Sequence, residues 1–403
     1  MNDIPNPANN RSWLSALEAA AELNVSRTTL YAYVSRGFIE SRGQSGSRKR
    51  LYAAADVRRL RAARDPNIDT PERALNFGLP LLDSAITLIR DGRFYYRGRD
   101  ALALARTADL ETVASLLWQV DDPNPFSDPP PDTAPDIPAG IPAAIATLAR
   151  AGAQDLKIHA RTPTARAKTA AQILRMMIAV WTGNSSDPRP AHIALANAWN
   201  VPAAVEAIRT ALVLCADHEL NASAFAVRVA ASTGAGPYAS VIAGLATLEG
   251  PRHGGQTPQT LALIEEAARL GDGRAAVLER LRQGNGLPGF GHRLYDGVDP
   301  RAEAITIALR ATLGTHPVLS LTDAMADTSH EATGLFPNLD FGLATLAAIW
   351  KLGPEQALGL FAIGRTAGWL AHVAEQAETG ILIRPRARYT GPDPSTDHAN
   401  RHP

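Results

Sequence analysis

The chain has 403 residues, 45% of them hydrophobic, with 40 basic and 40 acidic side chains and a formal net charge of zero. This length is too great for one helical domain and supports two or three with a sizeable core. The composition excludes a disordered chain and a uniformly basic nucleic-acid binder. Cys215 is the only cysteine, which excludes an intrachain disulfide and any cysteine-based metal site and fits a reducing compartment. Residues 1–10 carry neither a basic nor an apolar segment, and no run of about 18 apolar residues occurs. The expectation is a cytoplasmic protein without membrane contact.

Charge is unevenly spread along the chain. Between Arg11 and Arg64 about eleven basic residues stand against about four acidic ones. Ser15-Ala-Leu-Glu18 has capping-box spacing, and the alanine-rich run behind it predicts a helix with Leu17, Ala20, Ala21 and Leu23 on one face. Ser26 is placed to cap a second helix through Thr29, Leu30, Tyr33 and Val34, which Gly37 ends. Phe38-Ile39 and Arg50-Leu51-Tyr52 flank a glycine-containing cationic turn over residues 42–49, predicting a basic hairpin wing. The stretch from Ala21 to Leu60 resembles a winged helix-turn-helix of the MerR/excisionase type. That resemblance implies that Arg27, Thr28 and Tyr31 face a DNA major groove and that Arg48 and Lys49 reach phosphates. The competing reading is a helical appendage for dimer or partner contacts, its charges simply solvated.

A charged, proline-containing linker follows. Alternation over Thr87 to Tyr96 about Asp91-Gly92 predicts a small hairpin, and a helix is expected from Leu110 to Trp118. Pro, Asp and Ala dominate residues 121–142, which read as an exposed, partly polyproline loop. Residues 143–216 read as alanine-rich amphipathic helices broken at Thr162-Pro163, Gly183-Asn184 and Asn200-Val201-Pro202. Further helical pattern fills 259–283, 301–313, 318–332, 340–352 and 354–379.

The stretch from Asp217 to Arg301 sets His218, His253 and His292 on glycine- and proline-rich joints, where backbone can approach a ligand closely. Asp340 enters a helix between apolar neighbours; burial there disfavours its charge and makes it a stronger base once ionised. Taken singly, each histidine reads as a core residue and Asp340 as a helix N-terminal acid. Arg301, Arg365 and Arg384 together suit a small polycarboxylate. The histidines are too far apart in sequence for a zinc site, so no metal is expected. No Gly-x-Ser-x-Gly elbow supports a serine hydrolase.

Six motifs stand in order: Asp217-His218-Glu219-x-Asn221-Ala222-Ser223, Gly250-Pro251-x-His253-Gly254-Gly255, Pro288-Gly289-Phe290-Gly291-His292-Arg293-x-Tyr295 with Asp299-Pro300-Arg301, Pro337-Asn338-x-Asp340-Phe341, Arg365-Thr366-x-Gly368-Trp369-x-Ala371-His372, and Arg384-Pro385-Arg386-x-x-Tyr389. Together they resemble the successive motifs of citrate synthases over residues 86–389. The resemblance implies an all-α fold of two helical domains, large (76–253 and 363–395) and small (254–362), after the winged helix-turn-helix (11–64) and a linker (65–75). It implies a homodimer and an acetyl-CoA:oxaloacetate condensing enzyme that uses no cofactor beyond its acyl-CoA substrate. In that family scheme Asp340 removes the methyl proton, His253 bonds the thioester oxygen, and His292 polarises the oxaloacetate carbonyl. His218, Arg301 and Arg365 hold oxaloacetate, with Arg384 reaching in from the partner subunit. The backbone of Leu287, Pro288, Gly289, Phe290 and Gly291 meets the CoA.

The chain departs from the family pattern at Gln256-Thr257, commonly Ala-Asn, and at Gly342-Leu343, where many members carry an aromatic residue. Both departures bear on acyl-CoA and 2-oxo acid specificity, so a 2-methylcitrate synthase using propionyl-CoA is an alternative, one methylene being worth about 1–3 kcal/mol in such a pocket. A second alternative is a DNA-binding regulator that senses these metabolites through the same fold. A chain that had given up catalysis would be expected to have lost Asp340 or a histidine, and all are in place.

Overall fold

The computed structural model of the chain describes residues 13–23, 25, 27–35, 39–43, 50–57, 82–120, 125–128, 137–155, 162–185, 187–387 and 389–391. They divide between Asp83 and Ser84 into two units.

The first unit begins with β1 (Trp13–Ser15), α1 (Ala16–Glu22) and α2 (Arg27–Ser35), and continues with β2 (Ser41–Gly43) and β3 (Arg50–Ala53). The capping box forms as the spacing predicts: Glu18 N donates to Ser15 Oγ at 3.3 Å and Ser15 N to Glu18 Oε2 at 2.8 Å. The expected cap Ser26 and stop Gly37 lie outside the described residues. The wing is a three-stranded antiparallel sheet of order β1-β3-β2, with Leu14 opposite Tyr52 and Arg42 opposite Leu51. Its outer strand starts later than the sequence suggested, because Ile39 is buried in the small core with Leu14, Leu30 and Tyr52. The strand β1 was not foreseen, being three residues long and paired with residues some 38 positions away.

The second unit opens with a meander of β4 (Thr87–Arg90), β5 (Arg93–Tyr96) and β6 (Arg99–Asp100). Asp91 and Gly92 both have positive φ, 52° and 71°, the backbone that a two-residue hairpin requires and that Asp-Gly supplies readily. Helices follow: α3 (Ala101–Thr107), α4 (Leu110–Trp118), α5 (Ile141–Gln154), α6 (Pro163–Thr182), α7 (Ala191–Ala198), α8 (Val205–Cys215), α9 (Ala222–Ser232) and α10 (Pro237–Leu248). After these come α11 (Gln256–Leu270), α12 (Gly273–Arg282), α13 (Pro300–Leu313), α14 (Pro317–Thr333), α15 (Leu339–Trp350) and α16 (Pro354–Thr379). The breaks expected before α6, α7 and α8 are present. The pattern over 259–283 divides into two helices, because Gly271 adopts φ +67° as a C-cap and Asp272 Oδ1 then caps the next helix through Ala275 N at 3.0 Å. Helices α9 and α10 fall in a stretch that the sequence reading treated only as motifs.

Helix α16 is the centre of this unit. Proline at its N-terminus and Gly380 in the left-handed conformation bound it, and it packs against α4, α6, α8, α9, α10, α11 and α15. Its residues are buried around nearly the whole circumference from Ala357 to His372. Close approach to α8 depends on Gly368: a Cβ there would lie 2.3 Å from Ala216 O and 2.5 Å from Asp217 Oδ1, and Gly368 N instead donates to Ala216 O at 2.9 Å. This contact sets Arg365 beside the chain segment that carries Asp217 and His218.

Candidate active site

Four segments of the second unit converge: the end of α8 with residues 217–223, the turn 250–257 entering α11, the loop 287–301 entering α13, and the N-terminus of α15. Arg365 joins them from α16. His218, His292 and Tyr295 form one cluster, the two histidine rings edge-on at 5.1 Å between centroids and His218 Nε2 2.8 Å from Tyr295 Oη. Burial, then the charge of Arg301, holds His292 down to about 4; burial together with Arg301 and His292 lowers His218 well below the ordinary imidazole range. Leu294 N donates to His292 Nδ1 at 3.2 Å, which leaves the ring proton of this neutral imidazole on Nε2.

His253 rises from a turn in which His253 N and Gly255 N both donate to Gly250 O. Its Nε2 stands 2.8 Å from Ser223 Oγ, which accepts from Trp369 Nε1 at 3.2 Å and donates to Asn221 Oδ1 at 2.7 Å. Asn221 Oδ1 already accepts from Ser223 N and Ala224 N, both at 3.1 Å, as the cap of α9. The hydroxyl proton of Ser223 is thus committed to Asn221 Oδ1. Burial and Arg365 lower His253 to about 4, so this ring is also neutral near pH 7.

Two buried arginines provide the positive charge. Arg301, 3% exposed, is gripped by Asp299 through Nε at 2.9 Å and Nη2 at 2.7 Å. Asp299 also caps α13 and accepts from Leu339 N at 3.1 Å, linking the arginine to the start of α15. Burial alone would raise Asp299, but the Arg301 charge and hydrogen bonds hold it below the usual carboxylate range. Arg365, 1% exposed, donates Nε to Cys215 O at 2.7 Å and stacks over Phe361 at 5.0 Å, while its buried Nη2 finds no partner among the described residues. A buried guanidinium nitrogen left without an acceptor is costly, and an anionic ligand would relieve it. Behind it, Asp217 accepts from Thr87 Oγ1 at 2.6 Å and pairs with His372 Nε2 at 3.2 Å.

Asp340 occupies the second position of α15, whose cap Asn338 accepts from Asp340 N at 3.0 Å. Burial raises its carboxyl to about 6, against the opposing pull of a hydrogen bond from Thr257 Oγ1. Residues 287–291 lie alongside. Gly289 and Gly291 have φ +84° and +80°, and a Cβ on Gly289 would come within 2.5 Å of Thr260 Cγ2. Gly291 N donates to Phe336 O at 2.7 Å and Asn338 N to Gly289 O at 2.9 Å. Much of this backbone is thus already engaged in bracing the Asp340 loop, and Leu287 and Phe290 are buried.

The structure brings His218, His253, His292, Arg301, Asp340 and Arg365 into one region. Arg384 is exposed on the extended segment after α16 and takes no part in the hydrogen bonds that build the cluster. Ser223, Thr257 and Tyr295 were quoted or visible in the sequence motifs, but their partnerships with His253, Asp340 and His218 were not read there. The room a missing aromatic would vacate at Gly342 is filled: a Cβ there would sit 3.1 Å from Ile305 Cδ1 and 3.3 Å from Ala302 Cα.

In the first unit, Arg27 is exposed and Tyr31 is 52% exposed on α2, and Arg42 stacks over Trp13 at 3.9 Å on the wing. The side chain of Thr28, and Arg48 and Lys49 entirely, lie outside the described residues.

Comparisons with known proteins agree with this division. Residues 127–386 match the family model for the citrate synthase C-terminal domain, and residues 13–65 match a helix-turn-helix domain model. Citrate synthase 2 of Bacillus subtilis is 36% identical over 195 residues, 48% of this chain and 52% of that protein. A citrate synthase of Haloferax volcanii is 37% identical over 190 residues, 46% of this chain and 50% of the relative. The chain spans about half the length of the curated relatives it matches. Among solved structures, the ternary complex of Thermoplasma acidophilum citrate synthase with carboxymethyl coenzyme A and oxaloacetate is similar at TM-score 0.66 and 25% identity, covering 80% of this chain and 97% of that one. Citrate synthase from Thermotoga maritima shares the fold at TM-score 0.64 and 23% identity, covering 78% and 94%.

Proposed function

Since this chain belongs to the citrate synthase family, we propose that it condenses acetyl-CoA with oxaloacetate and hydrolyses the resulting thioester to citrate and CoA. The observation that carries the reading is the pairing of two kinds of group in one region: a base raised to about 6 beside neutral imidazoles, and a buried guanidinium nitrogen with no acceptor among the described residues.

In this reading the carboxylate of Asp340 takes a proton from the methyl group of acetyl-CoA. His253 hydrogen-bonds the thioester oxygen, where negative charge gathers as the enol forms. The proton is weakly acidic, so base and oxygen donor must act on the same acetyl unit together. The enol carbon then attacks the ketone carbon of oxaloacetate, whose oxygen is polarised by His292 Nε2–H and accepts its proton as the alkoxide develops. Arg301, Arg365 and His218 hold the oxaloacetate carboxylates, and Arg384 completes the set from a partner subunit in a homodimer. Residues 287–291 border the CoA through groups not spent on bracing 336–338. Water cleaves the citryl thioester, releasing CoA and drawing the reaction forward. The acyl donor in this reading is acetyl-CoA, with Gly342 packed against α13.

The test is release of CoA thiol by purified protein given oxaloacetate with acetyl-CoA or with propionyl-CoA. Turnover fastest with acetyl-CoA is expected; a folded protein that releases no CoA from either would refute the reading.

A second role rests on the helix-turn-helix match over residues 13–65 and on the exposed Arg27 and Tyr31 of α2. The first unit binds duplex DNA, with α2 in the major groove and cationic residues, Arg48 and Lys49 included, on phosphates. Affinity that falls steeply with salt and drops in an Arg27→Ala/Tyr31→Ala variant is the expected result. Absence of binding at low salt would leave this unit as a partner-contact module.

A further inference from the structure

We propose that Thr257 is a positioning residue for the proton transfer: its hydroxyl holds the Asp340 carboxylate in register with the His253 ring. This rests on the condensing reaction proposed above.

Thr257 is fully buried and is the second residue of α11, with its N–H donated to Gly254 O at 3.0 Å. The preceding turn is already helical in its bonding, since Gln256 N donates to His253 O at 2.9 Å. His253 and Thr257 are thus four residues apart on one rigid coil, about one turn, and lie on the same side of it. The coil cannot shift easily: a Cβ on Gly255 would meet Glu249 O at 2.8 Å, and one on Gly254 would meet Leu248 at 2.7 Å. From this piece His253 presents the oxygen donor, and Thr257 Oγ1 donates to Asp340 Oδ1 across the tightly packed contact of α11 with α15.

The bond has two consequences. It occupies Oδ1, which assigns the methyl proton to Oδ2 and fixes the plane of the carboxylate. It also favours the ionised base, opposing the burial that raises it. Threonine suits the task because its branched Cβ restricts χ1 and a hydroxyl is a short donor. The sequence shows Thr257 only as a departure from the Ala-Asn common in the family; the structure shows what the departure touches.

The experiment compares wild type with Thr257→Val, which keeps shape and loses the donor, and with Thr257→Ser, which keeps it. CoA release is followed from pH 5 to 9. For Thr257→Val, kcat at pH 7 is expected to fall roughly ten-fold or more, with the acidic limb of kcat/KM displaced upward, activity partly regained at pH 9 and the KM for oxaloacetate unchanged. Thr257→Ser is expected to restore kcat to within about three-fold. An acidic limb that coincides with wild type overturns the proposal. A readout independent of turnover accompanies it: the thermal midpoint difference between wild type and Thr257→Val should widen as pH rises from 4 to 8, because the hydroxyl favours the ionised carboxylate. A difference that does not change with pH overturns the proposal even in an inactive protein. Absence of CoA release by wild type, with a widening difference, counts against the condensing reaction alone.

Discussion

Replacing Asp340 by asparagine removes the proposed base, and the account predicts that it also makes the protein more stable at neutral pH. Burial raises this carboxyl from 3.8 to about 6 in the folded chain. A group whose folded pKa exceeds its unfolded value contributes stability that is fully present below the unfolded pKa and is lost as pH rises through the folded one. Here that window runs from about pH 4 to about pH 7. The shift is roughly two pK units, which at ~1.36 kcal/mol per unit corresponds to about 3 kcal/mol. Asp340 as a residue is only part-buried, and screening by solvent reduces this to about 2 kcal/mol. An amide still accepts the Thr257 hydroxyl and carries no charge to desolvate. For a unit of this size the midpoint should rise by about 4 °C at pH 8. Thermal unfolding followed by circular dichroism at pH 4 and pH 8 checks this. The Asp340→Asn variant should match wild type at pH 4 and exceed it at pH 8. Equal or lower stability at pH 8, or the same difference at both pH values, refutes the reasoning that burial of a charged carboxylate is what costs the native chain stability.

Arg365→Lys should raise the KM for oxaloacetate by about two orders of magnitude, because a buried charge-assisted contact of about 3 kcal/mol is lost; a KM within three-fold of wild type contradicts the assignment. Ser223→Ala should lower kcat roughly ten-fold with little change in oxaloacetate binding, since the hydroxyl that anchors His253 Nε2 is lost. Steady-state kinetics with both substrates varied checks this. The acidic limb of the wild-type kcat/KM profile should lie near pH 6, where Asp340 ionises, with a further fall towards pH 4 as His253 and His292 take up protons. If Arg384 acts across a two-fold interface, mixing the inactive Arg384→Ala and Asp340→Asn proteins should rebuild one complete site per mixed dimer and recover about a quarter of wild-type activity. No recovery on subunit exchange places Arg384 outside the partner's site.

Much of the candidate site is legible in the sequence because most of its residues sit at joints that announce themselves locally. His253 lies beside Gly254-Gly255, His292 follows Gly289 and Gly291, and Asp340 follows the cap Asn338. Helix ends are legible for the same reason, as at Gly353-Pro354 and Gly380 around α16. What the sequence does not display is which side chain faces which across the core. Asp217 meets Thr87 from 130 positions away and His372 from 155, Ser223 meets Trp369 from 146, and Thr257 meets Asp340 from 83. No periodicity or turn chemistry encodes such pairs; they arise only when α16 and its neighbours pack. The short strand β1 escaped for the same reason, since its pairing with β3 stabilises it and its three residues carry no signal of their own.

The most direct measurement follows the carbon-bound hydrogens. Incubation of the protein with oxaloacetate and acetyl-CoA trideuterated on the methyl group, with mass analysis of the product, should give citrate that retains two deuterium atoms. Its formation should be slower than from the unlabelled thioester and absent in the Asp340→Asn variant. Citrate formed equally fast by that variant would remove Asp340 from the role of base, and a wild-type protein that forms no citrate would contradict the condensing reaction itself.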